Sequence, residues 1–154
     1  MSISLKKVSL NKNNFNYYFK IIFNFRNNSD YLKLNNIKKV SKKDSYRWLL
    51  DNKNKRIFFL IKFNNKNVGI FNFNKTQPTF SQVILKKYRN KKIGKISAKI
   101  LLKKLKEMGY YRLITFASKN NLASYNIHKE ISFKSKLHTK KNNFYQFLIN
   151  TKKF

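Results

Sequence analysis

Cysteine is absent from the chain, and with it go disulfides, thiolate metal sites and a cysteine nucleophile. Acidic residues are nearly absent: Asp30, Asp44, Asp51, Glu107 and Glu130 are the only five in 154 positions, and they are scattered. With just His128 and His138 to add, the sequence offers no convincing ligand set, and no metal is expected. No apolar run approaches the ~18 residues of a membrane span. The opening Met-Ser-Ile-Ser-Leu-Lys-Lys does not read as a secretory signal, so a cytoplasmic protein with no membrane partner is expected. Glycine and proline are rare as well. Gly69, Gly94, Gly109 and Pro78 are the whole supply, so each is a landmark.

What is abundant is lysine, asparagine, phenylalanine, tyrosine and isoleucine. Hydrophobic residues make up 42% of the chain and aromatics 16%, enough for one globular domain over residues 1–154. The formal net charge of +31 would ordinarily point to nucleic acid or an acidic membrane. Here 31 of the 36 basic residues are lysine, accompanied by 23 asparagines. All the abundant types have A- and T-rich codons, so base composition explains the bias at least as well as function does. A dedicated nucleic-acid surface would favour the bidentate arginine. Non-specific, salt-dependent attraction of polyanions is still expected.

Periodicity divides the chain into alternating elements. Ile3 to Leu10 suits a strand, and Phe15, Tyr18, Phe19, Ile22 and Phe25 lie at mostly helical spacing after the candidate caps Asn13-Asn14. Asn27 to Lys39 reads as a long irregular connection covering a cleft. Ser41-Lys42-Lys43-Asp44 has the pattern of a capping box and starts a second helix through Tyr46, Trp48, Leu49 and Leu50. Ile57 to Phe63 and Asn67 to Asn74 are strands joined by an asparagine-rich hairpin, with Gly69 marking a bulge or a close backbone approach. Phe80 to Leu85 is a further strand. A helix follows with Ile93, Ile96, Ile100, Leu101, Leu105 and Met108 on its apolar face, and Gly109 stops it. Tyr111 to Ala117 (strand), Leu122 to Ile131 (helix), Phe133 to Leu137 and Phe144 to Ile149 (strands joined by a turn at Thr139 to Asn143) complete the order β α α β β β α β α β β.

One junction carries chemistry. The strand Gln82-Val83-Ile84-Leu85 runs into Tyr88-Arg89-Asn90-Lys91-Lys92-Ile93-Gly94-Lys95 and then into the long helix. The first N–H groups of a helix have no partner within it, and the helix dipole adds positive potential there. Arg89, Lys91, Lys92 and Lys95 with the single Gly94 make this a candidate phosphate site.

Residues 80–133 resemble the acyl-CoA N-acyltransferase superfamily, GNAT. Its phosphate motif, Arg or Gln, two residues, Gly, one residue, Gly or Ala, is similar to Arg89-Asn90-Lys91-Lys92-Ile93-Gly94, with Lys92 in place of the first glycine. A second family pattern matches at Asn121, Ser124 and Phe133, whereas His128 replaces a tyrosine and Ser132 a glycine. The resemblance implies an α/β (α+β) fold with a mixed, mostly antiparallel sheet of about six to seven strands and about four helices. It implies acetyl-CoA as acyl donor, lying between strands 82–85 and 112–117. Pantetheine would pair with Val83, Ile84 and Leu85. Pyrophosphate would lie on the amides of Asn90, Lys91, Lys92, Ile93, Gly94 and Lys95, with Arg89, Asn121 and Ser124 nearby. Such amides bind phosphate whatever the side chain, so the lost glycine is tolerated provided Lys92 keeps a negative φ.

By the same resemblance, an amine attacks the thioester directly, and His128 stands where the family places its general acid. An imidazolium can donate a proton near neutral pH. Tyr125, one turn earlier, is the substitute, and His138 or ordered water is a route for the amine proton. The first half, with Phe25-Arg26-Asn27-Asn28-Ser29-Asp30 before Asp44, Tyr46 and Trp48, resembles acetyltransferases of nucleotide-linked amino sugars and of ribosomal-protein N-termini. Arg26, Arg47 and Trp48 are the candidate acceptor wall. A monomer or homodimer is expected. The alternative classes are a non-catalytic basic nucleic-acid-binding protein and a decayed acyltransferase on the same fold.

Overall fold

The computed structural model of the protein describes residues 2–35, 37–137 and 144–154. The elements are β1 (Ile3–Lys7), α1 (Phe15–Arg26), α2 (Ser29–Asn35), α3 (Lys42–Asn52), β2 (Arg56–Phe63), β3 (Lys66–Asn74), β4 (Thr79–Ile84), α4 (Ile93–Glu107), β5 (Arg112–Ser118), α5 (Leu122–Ile131), β6 (Lys134–Leu137) and β7 (Phe144–Asn150). The sheet is split in two. β1-β2-β3-β4 form an antiparallel meander, and β5-β7-β6 form a second antiparallel sheet.

β2 is apolar at nearly every position because both of its faces are covered. Ile57, Phe59 and Ile61 pack with α4 through Ala98, Leu101, Leu102 and Leu105. Phe58 and Leu60 pack on the other side with α1 and α3 through Phe19, Ile22, Phe25 and Leu49. Alternation of side chains along a strand supplies both layers from one run. The β2–β3 turn uses Asn64 and Asn65 at φ 47° and 64°, the paired left-handed geometry of a tight hairpin. Gly69 serves both expected purposes. Opposite Ile61–Lys62 the register slips past Val68, a bulge, and a Cβ on Gly69 would overlap the Val83 carbonyl oxygen.

Three sequence expectations need correction. The segment expected to be irregular contains α2, capped by Asn28, whose Oδ1 accepts the Tyr31 N–H at 3.2 Å. The helix count is therefore five among the described residues. In α4 the buried face is Ile93, Ser97, Ala98, Leu101, Leu102 and Leu105, whereas Ile96 is 42% and Met108 38% exposed. Small residues let the helix seat closely on the sheet, and counting only large apolar side chains turns the face the wrong way. Finally, Asn14 precedes α1, but its side chain bonds Asn11 reciprocally and does not cap the helix. The capping box holds: Ser41 Oγ accepts the Asp44 N–H at 3.0 Å. His138 and the turn at Thr139 to Asn143 lie outside the described residues.

β4 and β5 meet only near their starts. There the Ile114 N–H donates to the Pro78 carbonyl at 2.9 Å and Thr115 Oγ1 lies 3.0 Å from the Phe80 carbonyl. Beyond these contacts no ladder joins them. The divergence leaves a free strand edge over the N-terminal ends of α4 and α5.

Candidate functional site

A groove of about 610 Å³ occupies this divergence. Gln82, Val83 and Ile84 of β4 form its floor. Tyr88 to Asn90 and Lys92 to Lys95 form one end, with the expected Lys91 not among the lining residues, α5 contributes Asn121, Ala123, Ser124 and Ile127, and α2 contributes Tyr31, Leu34 and Asn35. Along a strand the backbone groups of alternate residues point to the same side. The Phe80 carbonyl points to β5, so the carbonyls and N–H groups of Gln82 and Ile84 do too, while those of Val83 turn to β3. The free edge therefore belongs to Gln82 and Ile84. Leu85 does not line the groove: its N–H donates to the Val68 carbonyl and its side chain packs with the α1 layer, so its expected place at the edge is corrected.

Arg89 departs from expectation in a different way. Its Nε donates to the Ile84 carbonyl at 3.1 Å, so one of its donors closes the end of the edge. The first intrahelical bond of α4 runs from the Ile96 N–H to the Lys92 carbonyl. The N–H groups of Ile93, Gly94 and Lys95 are consequently without helical partners at the groove wall. A Cβ on Gly94 would come within 2.9 Å of Ile127 Cδ1, the movable end of that side chain, so the glycine leaves room between α4 and α5. Gln82 braces the same corner, donating from Nε2 to the Gly94 carbonyl at 3.1 Å and to Ser97 Oγ at 2.9 Å. Lys92 does not keep a negative φ: it is left-handed at 58°, as is Asn90 at 60°. The family glycine position thus keeps its glycine-like conformation while carrying a side chain, and the strain is held here without a side-chain cap bond. Lys95 lines the groove, but its ammonium pairs with Glu130 at 2.8 Å. Lys91 Nζ lies 5.9 Å from the centre of the Tyr88 ring. Asn121 is the N-cap of α5, accepting the Ser124 N–H at 3.1 Å.

The two expected acid residues face elsewhere. On α5, residues 121, 123, 124 and 127 line the groove, and Tyr125 and His128 lie on the face toward β7. Tyr125 packs edge-on against Tyr145 and Phe147. His128 is 3% exposed, stacked on Phe80. Its Nδ1 lies 3.0 Å from the Ser124 carbonyl and its Nε2 2.8 Å from Thr115 Oγ1. With Nδ1 protonated and donating to Ser124, neutral Nε2 accepts from the Thr115 hydroxyl, whose one proton also faces the Phe80 carbonyl. Burial lowers the His128 pKa to about 4. Burial thus disfavours the charged ring, and the side chain ties α5 to β5 where β4 and β5 meet.

A second and much smaller pocket, of about 40 Å³, lies on the opposite face of β4. Arg26, Tyr31, Trp48, Asn72, Ser81 and Val83 are among its lining residues, so Arg26 and Trp48 stand together as expected. The Arg26 and Arg56 guanidinium carbons lie 5.7 and 5.4 Å from the centre of the Trp48 ring. Arg47, in contrast, is exposed. Tyr31 and Val83 line both this pocket and the groove. Burial raises the Tyr31 pKa, so its phenol stays protonated, with Ser81 hydrogen-bonded to it. Sequence reasoning missed Tyr31, Asn72 and the bracing role of Gln82. The cap pattern Asn28-Ser29-Asp30 would have disclosed the helix that carries Tyr31. The lone amide inside the apolar run Ile70 to Phe73 was the signal for Asn72.

Comparisons with known proteins agree with this geometry. Residues 24–133 match the acetyltransferase (GNAT) family model. A comparison with curated proteins gives no match. Among solved structures, a domain from Methanocaldococcus jannaschii superposes with a TM-score of 0.79 at 21% identity, covering 97% of this chain and 98% of that one. Spermidine N-acetyltransferase from Vibrio cholerae, in complex with CoA and spermine, superposes with a TM-score of 0.75 at 13% identity, covering 97% and 96%. At these identities the likeness is one of fold.

Proposed function

The chain belongs to the acetyltransferase (GNAT) family, and from that premise we propose that it moves an acetyl group from acetyl-CoA to a primary amine held in the Arg26–Trp48 pocket. The observation that carries the reading is the free edge of Gln82 and Ile84 leading into the unpartnered amides at Ile93 to Lys95, with Gly94 keeping the corner open. Gln82 and Ile84 would hold the pantetheine amides and the α4 N-terminus the pyrophosphate. Acetyl-CoA supplies a thioester whose carbon–sulfur bond breaks as the carbon–nitrogen bond to the amine forms. The chain's residues then have two tasks, to hold the amine and to see protons moved.

Tyr31 is suited to the second, because its protonated phenol lies at the junction of groove and pocket, where sulfur and amine meet. It donates a hydrogen bond to the leaving sulfur, which takes up a proton as the amine nitrogen gives one up to solvent. A nucleotide-linked amino sugar and a protein N-terminus, the acceptors implied by the sequence resemblance, both present such an amine, as does a polyamine.

Calorimetry at near-physiological salt tests the reading. Acetyl-CoA binds the native chain, and Gly94→Trp abolishes that binding by filling the space before Ile127. Absent binding, or affinity indifferent to Gly94→Trp, would remove the proposal.

A further inference from the structure

The junction of β4 and β5 stands where the acyl end of the donor arrives. We infer that Thr115 and the Phe80 carbonyl, backed by His128, form a stop for the acyl chain, so that the site takes acetyl and turns away straight-chain acyl groups of four carbons or more. The inference rests on the acetyltransferase reading of the groove and names the class of donor that the groove accepts.

The direction of the donor follows from its two ends. Pyrophosphate on the amides of Ile93 to Lys95 lies at the Ile84 end of β4, so pantetheine paired with Ile84 and then Gln82 runs toward Phe80. The lining of the groove begins at Gln82, and neither Phe80 nor Thr115 belongs to it. The carbonyls of Gln82 and Phe80 point to the same side of β4, two residues or about 6.7 Å apart. From the last pantetheine nitrogen through two carbons, the sulfur and the carbonyl carbon to an acetyl methyl is about 6 Å by ordinary bond lengths and angles. The methyl therefore comes up to the junction, and each further methylene adds about 1.3 Å.

The junction has no slack to receive more. The Ile114 N–H donates to the Pro78 carbonyl at 2.9 Å, which closes the two backbones on each other. Just before that closure Thr115 Oγ1 stands 3.0 Å from the Phe80 carbonyl and 2.8 Å from His128 Nε2, with Thr115 wholly buried. The His128 ring fills the layer behind, its centre 5.5 Å from those of Phe80 and Phe147, and Phe71 meets Phe80 edge-on at 5.9 Å. Rings packed at these separations admit another methylene only by displacing their neighbours, which close-packed interiors resist. The apolar space that suits a longer chain is elsewhere. Ile114 and Phe116 alternate with Thr115 along β5 and so face away from His128, and with Pro78 and Thr79 they help to line a hollow of about 780 Å³. The hollow shares no described lining residue with the groove, and the Ile114–Pro78 contact stands between them.

Calorimetry with a series of donors tests the stop without an acceptor. Coenzyme A, acetyl-CoA, propionyl-CoA and butyryl-CoA are titrated into the full chain at near-physiological salt. Butyryl-CoA binds about tenfold more weakly than acetyl-CoA, a difference of about 1.4 kcal/mol, with propionyl-CoA between them. Thr115→Ala shortens the stop and brings butyryl-CoA within about threefold of acetyl-CoA. Thr115→Val loses the same hydrogen bonds yet fills the same space, so it keeps the preference, and the pair of variants separates the volume of the stop from a general loosening of the junction. Equal affinity of the native chain for acetyl-CoA and butyryl-CoA, no narrowing in Thr115→Ala, or the same narrowing in both variants would overturn the inference, while bound coenzyme A still upholds the acetyltransferase reading. Failure of coenzyme A and of every acyl-CoA to bind removes that reading and the stop with it.

Discussion

His128 sits in an environment unlike the one its sequence context suggests, and Tyr31 is the residue proposed to act in its place. His128 stands at the family's tyrosine position yet is buried with both ring nitrogens occupied, and its pKa is about 4 against 6.5 for a free imidazole. The native state therefore excludes a proton that the unfolded chain binds, so stability falls as pH drops from about 6.5 to about 4, by about 3 kcal/mol over that window. Thermal melts at pH 7 and pH 5 should show about 2 kcal/mol of this loss in the native chain and a flatter dependence in His128→Gln; an identical pH response in both would assign the slope to other groups. His128→Gln also lowers stability at pH 7 while leaving kcat per folded molecule near native. Tyr31, in a segment that reads as loop, holds a protonated phenol between groove and pocket. Tyr31→Phe is expected to lower kcat about 100-fold while acetyl-CoA affinity stays unchanged. A native kcat in that variant would take Tyr31 out of the mechanism.

Among the elements, the loop into α4 shows how a missing glycine is absorbed. Lys92 keeps the left-handed conformation, φ 58°, that a glycine would adopt freely, and Ile93 N–H onward are presented to the groove as the family motif implies. A left-handed non-glycine residue costs about 1–2 kcal/mol. Lys92→Gly should therefore raise stability by about 1 kcal/mol, or Tm by about 3 °C, and sharpen phosphate binding by removing a side chain from the site. A lower Tm would show that the lysine stem packs favourably enough to outweigh the strain. The bounds of α5 and of the β2–β3 hairpin were legible, because Asn121 caps one and Asn64-Asn65 suit the other. The buried face of α4 was not, since Ser97 and Ala98 carry no hydrophobic signal yet let the helix approach the sheet.

At the scale of the whole molecule, the +31 charge acts on every anion. RNA or heparin should bind at low salt and dissociate steeply as salt rises, because each neutralised phosphate releases counterions. Acetyl-CoA, with few phosphates and a shaped groove, should retain binding at near-physiological salt. Titration of both ligands across a salt series checks this, and a shallow salt slope for RNA would argue for specific nucleic-acid contacts. Among the described residues no helix is long and apolar enough to cross a membrane. The split between the two sheets is also a property of the whole. It exists because β4 and β5 touch only at Pro78 to Phe80 and Ile114 to Thr115, where His128 fastens α5.

The sequence by itself determined the alternation of elements, the family and the place of the turn proposed to bind phosphate, because these depend on local periodicity, caps and short spacings along the chain. Only the tertiary structure decided which groups meet there. The parity of β4 assigned the free edge to Gln82 and Ile84, packing buried His128 between α5 and β5, and α2 brought Tyr31 beside a strand some 50 residues away. Desolvation and contact between distant segments are created by folding, so no local spacing encodes them. The junction of Ile84 with Gly94 and the pairing of Arg26 with Trp48 were visible from the start; Tyr31 and Asn72 joined them only when separate segments closed on one another.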